Sequence, residues 1–265
     1  MQLRFTQVDA FAERPFTGNQ ACVMPLTEWL PDSTLRAIAN ENNVAETAFY
    51  LPDASGAADF ELRWFTPAVE VALCGHATLA SGHVALGDAP GRQRVTFVTR
   101  RSGVLAVERA GDGYALDLPA MAPTASELPG LAGALGAVPE AVLMRGHDYV
   151  VGVFARPEQV LELKPDFRAL AALPGGDVLV IATAAGGEAD VTSRVFAPGA
   201  GVDEDPVTGS AHAIIAPYWA ERLGRAAFSA HQASARGGRL KVELRGDIVR
   251  LTGGCVTVID GTMHL

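Results

Sequence analysis

No stretch of this sequence carries a run of lysine or arginine. Its 21 basic residues face 30 acidic ones, giving a net charge of -9 and a pI near 5.1. That balance argues against nucleic acid as a partner, which would call for a basic patch. No apolar run reaches the roughly 18 residues that a membrane span requires, so no membrane association is expected. The opening "MQLRFTQVDAF" enters a strand pattern at once, without the basic and apolar regions of a signal peptide. Cysteine is scarce: Cys22, Cys74 and Cys255 give neither a disulfide framework nor a zinc-type spacing. Together these absences predict a cytoplasmic protein with reduced thiols.

What is present is apolar material. Of the 265 residues, 49% are hydrophobic, enough for a large core or for two domains of ordinary size. The chain also repeats itself. Pro31-Asp32 recurs as Pro165-Asp166, 134 residues on, and each opens an apolar-periodic helical stretch. Arg63-x-Phe65-x-Pro67 recurs as Arg194-x-Phe196-x-Pro198 at an offset of 131. Gly103-x-Leu105-x-Val107-Glu108 recurs as Gly238-x-Leu240-x-Val242-Glu243, and Gly111-Asp112 as Gly246-Asp247, both at 135. Four matches in one order, at an offset near half the length, predict two homologous halves. We place them at residues 1–118 and 119–265, with "PAMAPTASELPG" as the linker.

Each half reads β-α-β-β-α-β-β. In the first, "LRFTQVDAF", "VAETAFYL" and "FELRWF" are strands. "LPDSTLRAIANEN" and "HATLASGHVALG" are helices, and "RVTFVTR" and "VLAVERAGDGYALDL" follow as strands. The expected class is α+β: two similar domains, each a curved, mostly antiparallel sheet around a central helix, related by a pseudo-twofold axis. A cleft between such domains is the expected place for a small-molecule site.

The same offset lays Cys74-Gly75-His76 over Thr208-Gly209-Ser210, each just before a helix. Helix N-termini present unpaired N–H groups and a partial positive charge, and glycine lets a ligand approach the backbone. Gly75, Thr208, Gly209 and Ser210 are therefore candidate contacts for a small carboxylate. The alternative is that both are merely well-capped helices. The halves differ at Glu46, a carboxylate on an otherwise apolar strand, where an offset of 134 puts Val180 in the other half. Desolvation favours the neutral form of a carboxyl group, which suits such a residue to shuttle protons near neutral pH; a solvent-facing edge glutamate is the alternative. Asp203, Glu204 and Asp205 crowd before the second helix, where Asp205 could cap it or orient a substrate amine. Gly18-Asn19-Gln20 reads as a turn after the first strand.

At these residues the sequence resembles the phenazine-biosynthesis PhzF-like family, whose fold is that of diaminopimelate epimerase. The resemblance covers the whole chain. It rests on "VDAFAERPFTGNQACV", "NNVAETAFYL", "RWFTPAVEVALCGHATLASGHVAL" and "VFAPGAGVDEDPVTGSAHA", the last being the most specific. It implies two similar domains with a central helix in each, a final strand near "CVTVIDGTMHL" that returns to the first domain, a homodimer, and catalysis without a cofactor. The family's characterised isomerase moves a proton within dihydro-hydroxyanthranilate. The resemblance gives Glu46 the acid/base role and places His76, Asp205 and Ser210 in the pocket; Asn19 is a further candidate for binding the substrate.

The wider superfamily holds racemases and epimerases that use two thiols, one per domain. Here the first position holds Cys74 but the second holds Thr208, and a threonine hydroxyl is too weak an acid to replace a thiol. Cys74 and His76 show no further ligand at metal spacing, so no metal is expected. The leading expectation is an isomerase of a small cyclic or amino carboxylic acid. The alternatives are an amino-acid racemase or epimerase, and a non-catalytic protein that binds a small molecule.

Overall fold

The structure, a computed structural model, describes residues 1–265. The chain forms two compact units, Met1–Leu118 with Leu251–Leu265, and Pro119–Arg250. The second unit stops at Arg250 rather than at the chain's end, because the last strand pairs with the first.

The first unit runs β1 (Gln2–Ala10), β2 (Asn19–Pro25), α1 (Asp32–Asn42), β3 (Glu46–Pro52), β4 (Phe60–Phe65), β5 (Glu70–Val71), α2 (Gly75–Gly87), β6 (Arg94–Thr99), β7 (Val104–Ala110) and β8 (Gly113–Pro119). The sheet is mostly antiparallel, as β1/β2, β3/β4, β6/β7 and β7/β8 show, with β2/β3 and β4/β6 parallel. The segment "TAFYL" of β3 is apolar on both faces because both faces are covered. On one, Phe49 and Leu51 pack with Leu35 and Ile38 of α1 and with Phe65. Helix α2 packs on β1, β2, β3 and β7. It has no polar stripe and is buried nearly all round, as a helix without an outer face must be. Its small residues allow that enclosure: a Cβ on Gly82 would stand 2.3 Å from Cγ1 of Val107.

The second unit runs β9 (Thr124–Ala125), α3 (Leu131–Leu135), β10 (Ala141–Arg145), β11 (Tyr149–Val153), α4 (Pro157–Leu161), α5 (Phe167–Ala171), β12 (Leu179–Ala185), β13 (Val191–Ala197), β14 (Val202–Asp205), α6 (Gly209–Leu223), β15 (Ala227–Gln232) and β16 (Gly238–Arg245), and ends within β17 (Ile248–Gly253). Pairings repeat in the order of the first unit: β10/β11 antiparallel, β11/β12 parallel, β12/β13 antiparallel, β13/β15 parallel, β15/β16 antiparallel. The apolar face of β12 and β13 packs against α3, α4 and α5 through Leu135, Val160, Leu170 and Phe196. Helix α6 contains Pro217, which has no N–H for the carbonyl four residues back. That carbonyl, on Ala213, accepts a hydrogen bond from the Met121 N–H at 3.2 Å instead. Strand β18 (Cys255–His264) completes the first unit, antiparallel to β1, with Gln2 opposite His264 and Ala10 opposite Cys255.

The repeated Arg-x-Phe-x-Pro motif does the same work twice. Arg63 binds Glu70 through Nε and Nη2 and lies over the ring of Phe65, 5.0 Å from its centroid. Arg194 binds Glu204 through Nε and Nη2 and lies 5.0 Å from the centroid of Phe196. The repeated Pro-Asp behaves differently. Asp166 caps α5, accepting from the N–H groups of Arg168 and Ala169, whereas Asp32 caps nothing and pairs with Arg63.

Candidate active site

The first residue of β3 is Glu46, held in parallel register with Ala21 of β2. Its side chain is 17% exposed, neither solvated nor sealed. The strand register corrects the sequence offset. Thr47 lies opposite Phe65 and Val180 lies opposite Phe196, so Val180 matches Thr47 and Glu46 matches Leu179. A slip of one residue reverses the face of a strand. The asymmetry survives, since Leu179 is apolar too.

Cys74 stands at the N-cap of α2 in extended conformation, and its side chain caps no backbone N–H. Thr208 stands likewise at the N-cap of α6, with no side-chain cap. The alternative reading of two ordinarily capped helices thus finds no side-chain cap at either. The cap carbonyls are gripped instead: Thr78 Oγ1 donates to Cys74 O at 2.6 Å, and His212 Nδ1 to Thr208 O at 2.8 Å. Buried Gly75 and Gly209 follow the caps, with His76 and Ser210 next in the first turn.

Around His76 the first unit gathers three side chains. Its Nε2 lies 3.0 Å from Oε2 of Glu46. That approach is close enough for an ion pair, although Glu46 Oε2 has no partner aligned as a hydrogen bond. Cys74 Sγ lies 3.5 Å from Nδ1 and 4.0 Å from Nε2. The side-chain amide of Asn19 meets Nδ1 at 3.2 Å. Burial works against the imidazolium, but the nearby negative groups outweigh it and hold His76 well above the usual histidine value. Cys74 adds to this only as a thiolate, and burial with the Glu46 charge pushes that thiol up to about 11. With both ring nitrogens protonated, a half-turn of the Asn19 amide presents its oxygen to Nδ1–H.

Asp205 ends β14 and accepts a hydrogen bond from Thr208 Oγ1. Gln232, fully buried on β15, ties the loop between them. Its Nε2 donates to Asp205 O at 2.7 Å and to Thr208 Oγ1 at 3.2 Å, and its Oε1 accepts from Thr208 N at 2.8 Å. Ser234 Oγ donates to Pro206 O at 2.9 Å. Sequence reasoning missed Gln232; the short stretch "SAHQAS" gives no signal for it. Of the acidic triplet, Glu204 serves Arg194 and Asp203 is exposed. No helix is long and apolar enough to cross a membrane.

The sequence matches the family described as "Phenazine biosynthesis-like protein" over residues 8–261. A Pseudomonas aeruginosa protein named "Uncharacterized isomerase" is 47% identical over 266 residues, with all of both chains covered. The crystal structure of a phenazine biosynthesis protein of the PhzF family from Enterococcus faecalis superposes with a TM-score of 0.92 at 40% identity, covering 100% of both chains. A hydroxyproline epimerase from Agrobacterium vitis, 13% identical, shares the fold with a TM-score of 0.63 over 98% of this chain and 92% of its own. The chain belongs to the phenazine biosynthesis-like family and has the epimerase-type α+β fold.

Proposed function

We propose that this chain, an isomerase by kinship, moves a proton between two carbons of a small cyclic or amino carboxylic acid, of the dihydro-hydroxyanthranilate type, with Glu46 as general acid and base. The observation that carries the reading is the Glu46–His76 contact of 3.0 Å at the N-terminus of a buried helix. The Glu46 carboxylate takes the proton from a substrate carbon, and the electron pair left behind moves into the adjoining unsaturated system. The carboxyl group then returns the proton at another carbon. Nothing is oxidised or reduced, so the step needs no redox cofactor.

His76, positively charged beside Glu46, stabilises the negative charge that develops on the substrate. Asn19 fixes the imidazole. The amides at Gly75 suit a substrate carboxylate. Asp205 serves as an anchor for a polar substrate group, with Thr208, Gly209 and Ser210 around it. The assembly in this reading is a homodimer, and a light-scattering mass near the chain's own 27.7 kDa would contradict that.

Glu46→Gln keeps the shape and removes the acid/base. Since general acid–base catalysis contributes roughly 10²–10⁴-fold, turnover should fall by about that factor while ligand affinity barely changes. Incubation of the wild type with candidate acids in heavy water should place deuterium on carbon. Normal turnover by Glu46→Gln would assign the proton shuttle to another residue.

A further inference from the structure

The stretch "VDAFAERPFTGNQACV" buries a carboxylate that the reaction does not use. Asp9, on β1, is fully buried, and its Oδ2 accepts a hydrogen bond from the Phe16 N–H at 2.7 Å. A carboxylate out of water is costly unless donors hold it, so its place calls for a reason. We propose that Asp9 is a positioning residue: it clamps the Phe11–Gly18 loop that delivers Asn19 to the ring of His76, and so sets the imidazole against Glu46.

The β1/β2 ladder pairs Asp9 with Gln20 and Ala10 with Asn19, so Asp9 and Asn19 belong to opposite faces of the hairpin. The loop is the link between them, and its backbone is held in unusual conformations. Phe11 and Phe16 have φ of 56° and 70°, two of the chain's three non-glycine residues with positive φ; the third, Asn43, ends a helix. Bulky side chains rarely adopt that region, and it persists only where the surroundings over-determine it. At Phe11 packing does so. The Ala12 N–H donates to Gly254 O at 3.1 Å, and a Cβ on Gly253 would stand 2.5 Å from Cδ1 of Phe11. Phe16 is 74% exposed, so its ring does not hold its backbone; the hydrogen bond to Asp9 does. The chain then turns at Gly18, where φ is 67° and a Cβ would stand 2.3 Å from Ala10 O. Asn19 follows, fully buried, its amide 3.2 Å from His76 Nδ1. Glu46 lies 3.0 Å from Nε2, on the other side of the ring. The ring is thus set between Asn19 and Glu46, with Cys74 Sγ 3.5 Å from Nδ1.

The effect on the ring stands by itself, whereas the effect on turnover rests on the acid/base reading of Glu46 given above. The ring is followed in the full-length protein by NMR titration of nitrogen-15-labelled histidines. Asp9→Ala frees the loop, and the proton affinity of His76 should fall about tenfold, because partners that favour the charged ring are lost. Asn19→Ala should give the same fall, and the double variant no more, since Asp9 acts through Asn19. Asp9→Asn keeps an oxygen for the Phe16 N–H and should retain most of the wild-type affinity. His83, further along α2 with Tyr114 and Thr257 as partners, should titrate as in the wild type; a general loosening would move both histidines. Asp9→Leu, of similar shape without the acceptor, repeats the test if Asp9→Ala does not fold. With substrate, kcat of the disrupted variants should fall about ten- to a hundredfold with KM little changed, and Asp9→Asn should restore it.

An unchanged His76 in a folded Asp9→Ala or Asp9→Leu, effects of Asp9 and Asn19 that add in full, or an equal shift at His83 would overturn the positioning role. A shifted His76 with kcat unchanged would overturn its part in turnover. The two readings fail separately. If Glu46→Gln loses turnover but His76 does not shift, only the role of Asp9 falls. If His76 shifts as stated but Glu46→Gln turns over normally, the acid/base assignment falls and the clamp stands.

Discussion

Arg63 grips Glu70 with two nitrogens, Nε to Oε1 and Nη2 to Oε2, both at 2.8 Å. The arginine side chain is only 2% exposed and lies between the rings of Trp29 and Phe65. Its nitrogen Nη2 also reaches Asp32 at 2.9 Å. This bidentate pair ties β4 to β5, the segment that leads into the N-terminus of α2. A fork of this kind is what arginine offers and lysine does not.

Arg63→Met keeps much of the apolar stem and strands the Glu70 carboxylate. Breaking a buried pair by removing one partner costs about 3–5 kcal/mol. Glu70 is partly exposed, so about 2–3 kcal/mol is expected here, read from denaturant unfolding. Arg63→Met with Glu70→Leu should recover most of the loss, since replacing both partners by apolar groups is often near neutral. A single variant within about 0.5 kcal/mol of wild type would make the pair ornamental.

The central helix sets a second test. Gly82 sits on α2 where an added Cβ would meet Cγ1, Cβ and Cγ2 of Val107 at 2.3, 2.5 and 2.8 Å. Alanine is the better helix former by about 1 kcal/mol, so propensity alone would make Gly82→Ala stabilising. Packing outweighs it: overfilling a tight core costs about 1–3 kcal/mol and here requires α2 and β7 to separate. We expect net destabilisation by thermal unfolding. A rise in melting temperature would mean that the helix and strand yield freely.

His212 makes stability depend on pH. It is fully buried on α6, donating Nδ1–H to Thr208 O and standing 3.4 Å from Ser193 Oγ through Nε2. Burial pushes its pKa down to about 4, against 6.5 for the free side chain. The folded value is depressed, so the neutral ring's contribution is complete above pH 6.5. It is lost as the pH falls from there towards 4, because the unfolded chain takes up the proton first. The gap corresponds to about 3 kcal/mol. Burial also lowers His83 and His231, which adds the same sign of dependence. Unfolding free energies of wild type and His212→Gln between pH 7 and pH 4 should therefore converge. Parallel curves would show that His212 is not the group titrating.

The repeat was legible because some of its residues carry backbone and ion-pair duties that short motifs preserve. Arg63-x-Phe65 and Arg194-x-Phe196 each unite an ion pair with an aromatic ring two residues on, and Gly111 and Gly246 both take positive φ, 59° and 64°. Exact register was not legible. An offset counted between motifs absorbs loop insertions, so Glu46 fell on Val180 when the sheet matches it to Leu179. The two-residue strand β5 and the five-residue helices α3 and α4 are too short to show a period. Gln232 escaped because the oxygen and nitrogen of its side-chain amide act on a loop more than twenty residues away in sequence, which no local pattern encodes. The nearness of Glu46 to His76 was reached only through the family resemblance: spacing along a chain says nothing about a strand laid beside a helix terminus.

Cys74 provides the sharpest contrast between isomerase and racemase chemistry. Its thiol, pushed up to about 11, is thiolate in roughly one molecule in ten thousand at pH 7. Across the repeat its counterpart is Thr208, whose hydroxyl is spent on Asp205. A thiol pair cannot form from these residues. Cys74→Ala should therefore lose far less than the roughly 10²–10⁴-fold expected of Glu46→Gln, because it leaves the acid/base and the His76 charge in place. Turnover of the two variants on one substrate, with folds checked by circular dichroism, decides the matter. A loss by Cys74→Ala equal to that of Glu46→Gln, with the fold intact, would make the thiol an acid/base in its own right and turn the reaction towards a one-cysteine racemase.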